Sequence, residues 1–159
     1  MMAPRERAGR PSVVEDVGRD AGIDPGHGGL TVAPTQPRPG LVLVRVIGEV
    51  DMLTARHLSD VLLGSVTTVA DDRDAAGRAT EQPSVVADLE GVTFLGASGL
   101  DVLAAVQGAA VARDVRLVLV ATHRTVLHPI RLTALDRCLA LADTDPALGR
   151  GASPGGTDR

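Results

Sequence analysis

The sequence predicts an α/β domain: a small, mostly parallel but mixed β-sheet with an N-terminal strand pair and helices packed against it. Three observations predict it. Nearly continuous apolar runs, suited to strands covered on both faces, alternate with stretches of helical period. The order strand, helix, strand, helix, strand, helix, strand calls for right-handed βαβ crossovers. Both ends of the chain are rich in Gly, Pro and charged residues and lack any period, which leaves one central core.

Residues 1–29 end in Asp24-Pro25-Gly26-His27-Gly28-Gly29 and read as a disordered tail; residues 149–159 read as a second one. The folded domain is expected over 30–148. Leu30-Thr31-Val32 is its short first strand, closed by a turn through Pro37, Pro39 and Gly40. Leu41–Ile47 follows as a buried strand. From Thr54 to Val66, the apolar residues Leu58, Val61, Leu62 and Val66 share one helix face, with Thr54 placed to cap it. Residues 67–83 are charged and aperiodic and are expected as a mobile surface insertion. Val85–Leu89 is a second buried strand, Leu100–Val111 an Ala- and Val-rich helix, and Val115–Ala121 a third strand. A short helix is expected near Val126–Ala134, its start limited by Pro129, before a last strand over Cys138–Ala142.

Composition narrows the functional classes. Phe94 is the sole aromatic residue, so the core is aliphatic and a base-stacking platform for single-stranded nucleic acid is absent. A net charge of -4 provides no footprint for nucleic acid or an anionic membrane. All 16 cationic residues are Arg, which excludes a P-loop lysine and Schiff-base chemistry. No run is long and apolar enough for membrane insertion, and no signal peptide is visible, so a cytoplasmic location is expected. The single Cys138, between Arg137 and Leu139, is expected as a small buried apolar side chain. His27, His57, His123 and His128 lack the paired spacing of metal ligands, and no cofactor is called for.

Working residues in such folds gather at the carboxyl ends of the strands. Two segments fall there, Gly48-Glu49-Val50-Asp51 and Gly96-Ala97-Ser98-Gly99. Ser98 stands at a strand-to-helix junction, where it can act as an N-cap with Asp101 three residues on. The same position makes its hydroxyl accessible to a partner enzyme. A phosphate there would face the positive end of the helix and add about two negative charges. Glu49 and Asp51 either close a strand and open a helix or form an acidic docking edge for an Arg-bearing partner.

These segments resemble a known family. Gly48-Glu49-Val50-Asp51 after an apolar strand resembles the G-E-(L/I/V)-D element of STAS domains, the fold of bacterial anti-sigma factor antagonists. Asp88-Leu89-Glu90-Gly91-Val92-Thr93-Phe94-Leu95-Gly96-Ala97-Ser98-Gly99-Leu100 resembles the family stretch D-L-S-G-V-x-F-(I/L/M)-D-S-S-G-L. Leu117-Val118-Leu119-Val120 and Leu132-Thr133-Ala134-Leu135-Asp136 are similar to two later family segments, so the likeness spans roughly residues 30 to 145. The resemblance implies a protein that is not an enzyme but a partner switch. Unphosphorylated, it binds an anti-sigma factor that is also a serine protein kinase, which frees a sigma factor for transcription. Phosphorylation of the serine before Gly-Leu, here Ser98, breaks that complex, and a serine phosphatase restores it. Gly96 and Ala97 replace the acidic residue and first serine of the family stretch. The partner surface implied comprises Glu49, Asp51, Gly96, Ala97, Ser98 and Gly99.

Two other classes remain open at this point. The resemblance extends to stressosome components and accessory subunits of lipid transporters, which implies a scaffold bound constitutively with Ser98 as a cap alone. A serine hydrolase also puts Ser on a strand-to-helix turn, but Leu100 stands where its G-x-S-x-G elbow requires Gly.

Overall fold

Strand order follows chain order. A computed structural model of the chain describes residues 29–77 and 81–143. In it the strands β1 (Thr31–Arg38), β2 (Leu41–Val50), β3 (Ser84–Leu95), β4 (Arg116–Val120) and β5 (Ala140–Ala142) lie side by side as β1-β2-β3-β4-β5. The first pair is antiparallel and the other three are parallel, giving the mixed sheet expected. Helices α1 (Ala55–Ala75), α2 (Ala97–Ala112) and α3 (Arg124–Leu132) connect the parallel strands. Crossovers of one hand, each advancing one strand in the same direction, put every connecting helix on the same face.

The packing agrees. Leu58, Leu62, Val66 and Val69 of α1, Leu103 and Val106 of α2, and Val126 and Ile130 of α3 form one cluster with Val42, Val44, Val46, Val85, Ala87, Leu89, Leu117 and Leu119. Strand side chains alternate faces, so Leu41, Val86, Val118 and Val120 form a second buried cluster on the opposite face. The strands read as continuous apolar runs because both faces carry buried side chains.

Several expectations need correcting. α1 does not stop at Val66: it runs to Ala75, so residues 67–75 are helix and not a mobile insertion. Val69 and Ala70 continue the buried stripe of Leu58, Leu62 and Val66, while Thr67 and Thr68 bond back to the carbonyls of Leu63 and Gly64. β1 is longer than three residues and passes through Pro34 and Pro37; an edge strand tolerates proline because the missing N–H is not needed by a neighbour. Val85–Leu89 and Val92–Leu95 belong to one strand, whose register against β2 shifts twice. Pro129 lies inside α3, where the complete burial of Val126 and Ile130 outweighs one lost backbone bond. Cys138 is exposed, in the turn after a 3-10 segment at Leu135–Arg137; its neighbour Leu139 is the residue that enters the core. The two tail segments lie outside the described residues, apart from Gly29.

Candidate functional site

The site is built where the carboxyl ends of β2 and β3 meet the start of α2. Gly48 has φ of 112°, and a Cβ there would stand 1.8 Å from the Gly29 carbonyl oxygen. Only glycine lets the chain before β1 press on β2 at this point. Beyond it Glu49 is exposed and Val50 is fully buried, and the chain turns through Asp51-Met52-Leu53-Thr54 into α1.

That turn is closed by side chains. Asp51 Oδ1 accepts the backbone N–H of Leu53 (2.8 Å) and of Thr54 (3.0 Å). The Thr54 hydroxyl accepts the Asp51 N–H at 2.9 Å, and it can donate to the Glu49 carbonyl at 2.8 Å or to Asp51 Oδ1 at 3.1 Å. Thr54, buried and in αR geometry, makes no side-chain cap bond and instead ties the end of β2 to the start of α1. The N–H of Thr54 first, then that of Leu53, holds the Asp51 carboxyl below its ordinary value, against a smaller upward push from burial.

β3 supplies the other half. Glu49 registers against Phe94 and Val50 against Leu95. The Gly96 N–H then donates to the Val50 carbonyl at 2.9 Å. Gly96 is the N-cap of α2, and its carbonyl accepts the N–H groups of Gly99 (3.0 Å) and Leu100 (3.2 Å). Ser98 is therefore not the cap. It is the second helical residue, half-buried, and α2 makes no side-chain cap bond, so the capping-box expectation with Asp101 fails too. The extended conformation that capping demands falls on Gly96, two residues earlier. A Cβ on Gly99 would stand 2.6 Å from Leu95 Cδ1 and 2.7 Å from Val50 Cγ1. Glycine after Ser98 thus lets the first turn of α2 sit directly on both strand ends.

The structure brings Glu49, Asp51, Gly96, Ala97, Ser98 and Gly99 to one end of the sheet, where β2 and β3 finish. Glu49 and Ala97 are exposed, Asp51, Gly96 and Ser98 half-buried, and Gly99 buried as a spacer. A pocket of about 250 Å³ lies at the opposite end, between Gly40, Asp72, Arg73 and Pro83, away from Ser98. Among the described residues no group of three or more His, Cys, Asp or Glu is placed to hold a metal ion, and no helix is long and apolar enough to cross a membrane. Sequence reasoning passed over Glu90, whose carboxylate accepts the backbone N–H and hydroxyl of Thr122 and lies 3.2 Å from His123 Nε2. It also passed over Met52 and Leu53, an exposed apolar pair inside a polar turn.

Among the described residues, a mixed sheet, one helical layer and a serine set between glycines at a helix start define a small α/β domain. The STAS domain model matches residues 33–147, and the chain belongs to the STAS domain family. The anti-sigma-F factor antagonist RsfB of Mycobacterium tuberculosis is 33% identical over 105 residues, covering 66% of this chain and 75% of that protein. The crystal structure of an anti-sigma factor antagonist from Mycobacterium paratuberculosis superposes with a TM-score of 0.53 at 30% identity, covering 72% of this chain and 86% of that one. SpoIIAA, an anti-sigma factor antagonist, in its unphosphorylated form shares the fold at a TM-score of 0.51 and 14% identity, over 72% of this chain and 90% of that one.

Proposed function

We propose that this chain is an anti-sigma factor antagonist that docks a kinase-type anti-sigma factor through the edge around Ser98, and that phosphorylation of Ser98 releases it. The observation that carries the reading is the setting of Ser98. Ser98 is half-buried in the first turn of a helix whose start is bonded to Val50, the residue between Glu49 and Asp51. The names of the relatives supply the class of partner: RsfB and the M. paratuberculosis protein are both anti-sigma factor antagonists.

The physical sequence is short. Unmodified, the surface has only the small residues Gly96 and Ala97 ahead of Ser98, which let a partner's backbone approach closely. Phosphate on Ser98 Oγ adds about two negative charges beside two carboxylates. A phosphate with its bound water does not fit against a partner packed on the unmodified hydroxyl, and that added bulk and the cost of desolvating the dianion outweigh its attraction to the partner's cations. A serine phosphatase that removes the phosphate resets the surface.

Incubating the full chain with ATP and each purified anti-sigma factor kinase of its host, followed by phosphopeptide mass spectrometry, tests the covalent step. Phosphate on Ser98, absent in S98A, is the expected result. Calorimetric titration then compares docking of S98A and S98D, with S98D expected roughly tenfold weaker or more. Equal binding by the two variants overturns the switch and leaves a constitutive scaffold, the reading favoured by the Gly96-Ala97 pair where an acidic residue and a serine are usual.

A further inference from the structure

Beside the carboxylates and Ser98 lies an apolar element that the switch itself does not use. Met52 and Leu53, the central residues of the β2–α1 turn, are 81% and 83% exposed, and Phe94 is 50% exposed. Single exposed aliphatics are ordinary on any surface. Here two adjacent ones follow the end of β2 and the chain's only aromatic residue stands near the end of β3, in register with Glu49, and exposed apolar residues sharing one end of a sheet mark contact surface. Glu49 pairs in register with Phe94 across β2 and β3, and the Phe94 ring reaches to 3.1 Å from where a Cβ on Gly96 would stand. The turn holding Met52 and Leu53 is fixed by the bonds from Asp51 and Thr54. Its backbone therefore needs little ordering when a partner arrives.

Resting on the docking function proposed above, we propose that Met52, Leu53 and Phe94 form the apolar hot spot by which this chain selects its anti-sigma factor, whose matching surface is an apolar cleft rimmed by arginine or lysine. Charge identifies that occupant. Glu49 and Asp51 lie just before Met52 and Leu53 in the chain, so a cleft that takes in the apolar pair meets carboxylates along one side of its rim. A cationic rim gains from this and an acidic one is rejected. Selection and switching then rest on different residues: the apolar trio sets which partner binds, and Ser98 sets when.

The test is calorimetric titration of the full chain with each purified anti-sigma factor of its host, using wild type, the double variant M52A/L53A, S98D and the control L132A. Leu132 is 73% exposed at the end of α3, outside the docking edge. Thermal unfolding of each variant confirms that it is folded. The expected result is that M52A/L53A binds the wild-type partner roughly tenfold or more weakly, while L132A binds as wild type does. Double-variant binding within about twofold of wild type, with S98D still weakened, overturns the hot spot and leaves the docking function standing. Concentration-dependent dimerisation lost in M52A/L53A overturns it in favour of a second copy. If wild type binds none of these anti-sigma factors, the docking function falls, and this inference with it.

Discussion

At the scale of single residues, the glycines and the turn carboxylate carry most of the site's geometry. Gly48 and Gly99 are there for space, since a side chain at either would strike backbone or core. Asp51 is there for hydrogen bonds, and its effect on stability follows from them. Its carboxyl titrates below the ordinary value of 3.8 because the N–H groups of Thr54 and Leu53 favour the charged form. A depressed folded-state pKa means that its contribution is fully present above the unfolded-state value. The contribution is lost as pH falls through the folded-state value. Asp51→Asn keeps an acceptor oxygen for the turn and removes the titration. Urea midpoints of wild type and Asp51→Asn are therefore expected to differ by a constant amount at neutral pH and to converge below about pH 4. A difference that stays constant down to pH 2 would show that the charge on Asp51 contributes nothing to the fold.

At the scale of elements, what was legible in the sequence depended on whether a residue's burial followed from its own type and spacing. Leu41–Ile47 and Val115–Ala121 read as strands because they are short apolar runs rich in β-branched residues, which suit a sheet interior, and α2 read as a helix from its Ala- and Val-rich composition. The end of α1 was hidden because Asp71, Asp72, Arg73 and Asp74 resemble a loop. They are the solvent face and last turn of the helix. There Asp72 accepts from Gln36 Nε2 and the Gly40 N–H, and Arg73 reaches Asp114 at 2.9 Å. Those partners lie more than thirty residues away in sequence, which no local pattern reveals. The location of the candidate site was legible from its glycines. The cap was not, because the choice between Gly96 and Ser98 depends on the bond from Gly96 to Val50 on another strand. If residues 67–75 belong to the packed core, Val69→Ala loses about 1–3 kcal/mol in urea unfolding. Asp71→Ala on the exposed side changes stability by under about 0.5 kcal/mol. Equal small effects at both positions would restore the mobile-insertion reading.

At the scale of the whole molecule, the question is whether charge on Ser98 acts through the fold or only at the surface. The sheet and its single helical layer hold the start of α2 from below: Leu100, Leu103, Val106 and Ala110 are buried, and Gly99 rests on Val50 and Leu95. A carboxylate at the second helical position faces the positive end of the helix and gains about 0.3–1 kcal/mol. Asp101, one turn on, offsets a few tenths of that by like-charge repulsion. The two effects nearly cancel, so S98D is expected to unfold within about 0.5 kcal/mol of wild type, a shift in the thermal midpoint of about 3 °C or less. Far-UV circular dichroism is expected to be unchanged. Under those conditions any loss of partner binding by S98D belongs to the contact itself, because the fold presenting Glu49, Asp51 and Met52 is the same in both proteins. A midpoint lowered by 10 °C or so, on the order of 2 kcal/mol for a domain this size, would mean that charge at Ser98 loosens α2 from the strand ends. Weakened docking would then report loosening of the site and not a misfit across the contact.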